Sequence, residues 1–149
     1  MEPRTGRPPR RARPPGQAVL NRLTFGAAAL SLGFLLAFIV TRGDVEGVRD
    51  GARFILFSLV LAAFVVTPYV AQRFVNARVW TQAEIIAAGI ALVIAAGLGL
   101  SAYVVTLFTG RPDALDALVF FALPLWQLLI VGLGYGAGKL ATWMRARRG

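Results

Sequence analysis

The chain has 149 residues, of which 57% are apolar and 15% charged, and its formal net charge is +9. That is the size of one domain, with too little charged surface for a soluble domain of this length, so the composition is that of an integral membrane protein. There is no cysteine and no histidine, which excludes disulfides, thiolate or imidazole metal and haem ligands, and every Ser-His or Cys-His catalytic pair.

No cofactor is expected from that inventory, and proton-transfer chemistry would have to rest on a shifted carboxylate or a tyrosine. The charge lies in short clusters between long apolar runs: +5 over residues 1–22, zero over 42–53, +1 over 73–84, −1 over 111–116 and +4 over 139–149. Basicity confined to two tails and a loop predicts contact with anionic lipid and no specific nucleic acid.

Residues 1–22 hold six arginines and five prolines. Proline fixes φ and removes an amide donor, and the segment has little to bury, so residues 1–16 are predicted to be disordered. Its arginines, Arg10, Arg11 and Arg13 among them, act as a topology signal and as membrane-surface charge.

Leu23 to Thr41 is an uncharged run of 19 residues, long enough to span and too long for the core of a signal peptide. Ala29, Gly33 and Ala37 fall four apart, on one face. The loop from Arg42 to Arg53 mixes three arginines with Asp44, Glu46 and Asp50. Interleaved cations neutralise the carboxylates, and the order of a calcium loop is missing.

Phe54 to Gln72 is a second run of 19, with Pro68 and Tyr69 at its end. Gln72 to Glu84 reads as a loop able to lie in the headgroup region, with Phe74, Val75, Val79 and Trp80 in the membrane and Arg73, Asn76 and Arg78 facing water.

Ile85 to Gly110 is the longest run, 26 residues. Ala87, Ala91, Ala95 and Gly99 recur every four residues, a stripe that lets two helix backbones approach. In the connection that follows, Asp113 after Pro112 suits a helix N-cap. Its turn residues partly match those of the first loop, a weak sign of a repeated hairpin.

Ala117 to Gly138 is the fourth run, 22 residues, followed by a basic end with Lys139, Arg145, Arg147 and Arg148. Pro124 breaks the hydrogen-bond ladder and should bend the helix by about 20° or more. Gln127 falls near mid-span, where an unsatisfied amide is costly, so it should face protein. Gly132 with Gly136, or Gly134 with Gly138, should meet another helix.

The predicted fold is therefore an all-α membrane protein, a compact bundle of four transmembrane helices arranged as two antiparallel hairpins. Its parts are the tail over 1–16, a transmembrane domain over 17–143 with spans at about 20–41, 53–72, 84–109 and 115–138, and a basic tail over 144–149. Four spans put both termini on one side with twelve of the sixteen basic residues. The positive-inside rule makes that side the cytoplasm and the membrane the cell (inner) membrane; Tyr69, Trp80 and Trp143 fall at the same boundary. Fifteen arginines to one lysine point to a bacterium with GC-rich DNA.

No acidic or basic residue lies inside the four runs. That argues against ion-coupled transporters, proton pumps and voltage sensors, which carry charge at depth. The segment Arg73-Phe-Val-Asn-Ala-Arg-Val-Trp-Thr81 and the order of spans resemble the GtrA-type family, implicated in moving lipid-linked sugars, where an Asn-Arg-x-aromatic motif follows the second span. Here Asn76 to Trp80 is one residue longer and no matching motif follows the fourth span, so nothing is carried over from the likeness.

The leading expectation is a non-enzymatic bundle, an accessory or scaffold subunit that self-associates or joins a larger membrane complex through small-residue faces. The alternative is a translocator of lipid or small solute, with Pro124 permitting movement and Gln127, Ser101, Tyr103 and Thr106 lining a polar path beside Gly99. A third is a membrane-edge enzyme built on Asp44, Glu46, Asp50, Asp113 and Asp116.

Overall fold

The computed structural model describes Pro14 and residues 16–42, 48–108 and 114–148, with side chains described at 14, 16–41, 51–108 and 121–148. Among these residues there is no strand. The helices are α1 (Gly16–Arg42), α2 (Val48–Arg78), α3 (Gln82–Phe108) and α4 (Ala114–Arg148). All four are long and apolar enough to cross a membrane. The shortest have 27 residues, about 40 Å at roughly 1.5 Å per residue, against about 30 Å of hydrocarbon.

Helix α1 packs on α2 and α3, and α4 packs on the same two, most extensively on α3. Helices α2 and α3 touch lightly across the middle, and α1 and α4 do not meet among the described residues. The order around the bundle is thus α1, α2, α4, α3. Paired residues run in opposite directions along α1 and α2 (Gln17 with Asn76, Ser31 with Tyr69) and along α3 and α4 (Glu84 with Lys139, Ala95 with Gln127).

Two apolar clusters fill the interior. Leu20, Tyr69, Val79, Ile85, Ala88 and Leu92 form one near the α2–α3 turn, and Leu35, Leu61, Val65 and Tyr103 form the other toward the opposite end. The exterior is apolar as well: Phe25, Val40, Phe108 and Leu133 are 76%, 80%, 77% and 73% exposed. A surface of this kind is poorly solvated by water over its whole girth and well solvated by hydrocarbon.

The helices outrun the uncharged stretches. Helix α2 begins at Val48, inside the segment expected as a loop, and continues to Arg78. Pro68, expected at the end of its span, is buried inside it. The expected loop over 72–84 shrinks to residues 79–81. The reason lies in the partners of its polar side chains: Asn76, expected to face water, and Gln72 are 0% and 1% exposed and bonded to neighbouring helices, so the helix need not end for them to be satisfied. Phe74 and Trp80 do face outward, but Val79 is 1% exposed, so this segment is not divided into the two faces expected of it.

At the N-terminus, Gly16 already belongs to α1 and the Gln17 amide donates to the Pro14 carbonyl at 3.0 Å. The rest of the tail expected to be disordered, and the connections over 43–47 and 109–113 with the Asp113 cap and the repeated turn, lie outside the described residues.

Candidate functional site

Polar chemistry concentrates where α1, α2 and α3 meet near the α2–α3 turn, and Asn76 is its hub. Its Nδ2 donates to Asn21 Oδ1 at 3.2 Å and to Thr24 Oγ1 at 3.1 Å, both on α1. Its Oδ1 accepts from Gln72 Nε2 at 3.0 Å, and its carbonyl accepts from Gln17 Nε2. Gln72 Nε2 also donates to the Ala88 carbonyl on α3 at 3.1 Å. An i, i+4 amide pair on α2 thus ties three helices together through groups that would be costly to leave unpaired.

Beside this network, Thr81 and Glu84 form a reciprocal cap on α3. The Glu84 amide donates to Thr81 Oγ1 at 3.2 Å, while Glu84 Oε2 accepts from the Thr81 amide at 3.2 Å and the Trp80 amide at 2.7 Å. This is a capping box, Thr-x-x-Glu, which satisfies amides that the first turn leaves free. Glu84 is 4% exposed, and its Oε1 lies 2.9 Å from Lys139 Nζ on α4. Thr81 and Thr142 hydroxyls are 3.0 Å apart, a second link between the turn and α4.

Along α3, the stripe Ala87, Ala91, Ala95 and Gly99 faces α4. A Cβ added at Gly134 would stand 2.4 Å from Ala91 Cβ and 3.3 Å from the Ala87 carbonyl oxygen. One added at Gly138 would stand 3.1 Å from Glu84 Cα and 3.3 Å from Ala87 Cβ. Gly134 and Gly138 are therefore the glycines of this seam. Gly132 and Gly136 are not: nothing lies within 4 Å of a Cβ on either. Two residues along a helix turn through about 200°, so alternate glycines point to opposite sides.

Further along the seam, Gln127 is 0% exposed and its Nε2 donates to the Ala95 carbonyl at 2.9 Å. A Cβ on Gly99 would fall on Gln127 Nε2, 2.1 Å away, and 3.7 Å from Tyr69 Oη, so the amide and the phenol converge over this glycine. Tyr69 Oη is also 2.7 Å from Ser31 Oγ on α1. Pro124, one turn before Gln127, is fully buried, and Tyr103 is 1% exposed within the second apolar cluster. Ser101 lies apart from them: it is exposed and donates to its own helix at Leu98, so it does not join Gln127 and Tyr103 in a polar path.

Two recesses open on the exterior. One, about 730 Å³, lies between α1 and α2 with Arg22 and Arg73 on its rim and Phe25, Ala28 and Val70 in its walls. The other, about 590 Å³, lies along α4 at Leu125, Leu129, Gly132 and Leu133. Neither is lined by Gln127.

Arg145, Arg147 and Arg148 are exposed on the last turns of α4, and the Arg147 guanidinium sits 3.7 Å from the Trp143 ring centroid. Arg10, Arg11, Arg13, Asp44, Glu46 and Asp113, and the side chains of Asp50 and Asp116, lie outside what is described. Compared with known proteins, the chain matches no family model, no curated protein and no solved structure.

Proposed function

We propose that the chain is a non-enzymatic four-span membrane protein of the cell membrane, folded as two antiparallel hairpins with both termini in the cytoplasm, which acts as a scaffold or accessory subunit. The observation that carries this reading is the use to which the interior is put. The small-residue stripe of α3 is filled by α4, and Asn76, Gln72, Glu84 and Gln127 are engaged with neighbouring helices. A core occupied in this way suits a rigid body whose outward faces do the recognising. Those faces include Gly26 and Gly33 on α1 and Gly132 and Gly136 on α4, all with nothing within 4 Å of an added Cβ. In a bilayer such faces let a second helix approach closely.

The test is crosslinking in the native membrane followed by isolation of the full chain. A discrete homo-oligomer or a stoichiometric partner, lost when Gly132 and Gly136 or Gly26 and Gly33 are replaced by leucine, supports the reading. A lone chain in the native membrane, or solute flux through liposomes that Gln127→Leu abolishes, overturns it.

A further inference from the structure

The groove between α1 and α2 combines an apolar trough with a basic rim, and the rim lies at one end only. Asn21, Arg22, Phe25 and Ala28 follow one another at helical spacing on α1, and Val70 and Arg73 do so on α2. Because the two helices pair Gln17 with Asn76 and Ser31 with Tyr69, Arg22 and Arg73 share the end nearest the α2–α3 turn, and Ala28 and Val70 lie deeper. Neither arginine takes part in an ion pair among the described residues. Asn21 spends its Oδ1 on Asn76, which leaves its amide nitrogen for the groove. The recess, about 730 Å³, is of the size that holds small-molecule ligands.

Guanidinium groups bind phosphate oxygens through paired donors, and a basic pocket between membrane helices at the cytoplasmic face suits an anionic headgroup. We infer that this groove is a binding site for an anionic phospholipid, its phosphate between Arg22 and Arg73 and an acyl chain along Phe25, Ala28 and Val70. The inference rests on the membrane-spanning reading and goes beyond the scaffold role, since it assigns a specific lipid to one face. Neutral lipid would fill any groove; the claim is selectivity for the charge.

The experiment is native mass spectrometry of the purified full chain, released from detergent with equal amounts of phosphatidylglycerol and phosphatidylcholine of the same acyl chains. The wild type should retain phosphatidylglycerol about tenfold over phosphatidylcholine, about 1.4 kcal/mol. Arg22→Gln with Arg73→Gln should bring the ratio to near one, while Arg53→Gln, near the far end of α2 and outside the groove lining, leaves it unchanged. Filling the trough with Ala28→Leu should lower adducts of both lipids.

Preference that survives the Arg22 and Arg73 changes overturns the proposal, as does preference that falls equally with Arg53→Gln. Inorganic phosphate that displaces the lipid at millimolar concentration shows a site for soluble anion and also overturns it. Cysteine labelling of the spans, described below, tests the membrane-spanning reading separately.

Discussion

The α3–α4 seam offers a prediction with its own internal control. Alanine is a better helix former than glycine, by about 0.5–1 kcal/mol. At Gly132 and Gly136, where an added Cβ meets nothing within 4 Å, Gly→Ala should therefore be neutral or mildly stabilising. At Gly134 the same methyl would arrive 2.4 Å from Ala91 Cβ. Unbonded carbons settle at roughly 3.5–4.0 Å, so α3 and α4 must part by about 1 Å, which forfeits a quarter to a half of the dispersion energy of each contact along the seam. Ala91 has no rotamer with which to yield. Separation also stretches the Gln127–Ala95 bond and the Glu84–Lys139 pair on the same interface. Gly134→Ala should cost about 1–3 kcal/mol, the range for overpacking.

The assay is reversible unfolding of the full chain in mixed micelles, followed by helicity. Combining Gly134→Ala with Ala91→Gly should recover most of the loss, and the double-mutant cycle isolates the clash. If Gly134→Ala is as stable as Gly136→Ala, or if Ala91→Gly rescues nothing, the close approach inferred for this seam is wrong.

In the same unfolding assay, Asn76→Leu removes three side-chain bonds and should cost about 2 kcal/mol at roughly 0.6 kcal/mol per bond, whereas Thr67→Ala, which loses only an exposed bond to Ala63 in its own helix, should stay within about 0.5 kcal/mol. Thr81→Ala removes the N-cap of α3 and should cost about 1 kcal/mol, with Thr81→Ser close to wild type. Glu84→Ala should cost more than Lys139→Ala, because Glu84 is buried and holds two backbone amides, while the Lys139 side chain is 43% exposed and can turn to water; equal losses would refute the capping role. The chain has no cysteine, so single ones can be introduced cleanly: Arg148→Cys should react with a membrane-impermeant maleimide only in inverted vesicles, and Phe108→Cys only in intact cells, with the reverse pattern inverting the proposed orientation.

Four apolar runs separated by charge made the four long helices legible, because crossing hydrocarbon demands about 20 uncharged residues and little else does. The stripe from Ala87 to Gly99 was legible for a similar reason, since small residues four apart have one common use in lipid. The helix ends were not. Gln72 and Asn76 look like loop residues when polarity is counted, and only their i, i+4 spacing, matched by Gln17, Asn21 and Thr24 on α1, carries the sign of an interhelical network. Thr81-x-x-Glu84 before an apolar run is the written form of a capping box, and it marks both the start of α3 and the reason a carboxylate is buried there. The four alternating glycines of α4 were ambiguous by construction: two point each way, and the chain alone does not say which side holds α3.

The polar ties are unevenly placed. Every hydrogen bond from Asn76, Gln72 and Gln17, together with the Glu84–Lys139 pair and the Thr81–Thr142 contact, lies toward the α2–α3 turn. Among the described residues, the opposite end packs through Leu35, Leu61, Val65, Tyr103 and the rings of Phe64 and Phe121, whose centroids are 5.5 Å apart. Dispersion contacts slide with little penalty, whereas hydrogen bonds hold a register. Around Asn76 the three helices should therefore behave as one riveted joint. Amides near Asn76 and Ala88 would be among the last to exchange, and a bilayer of changed thickness would be met by tilting this joint as a unit and not by sliding along it.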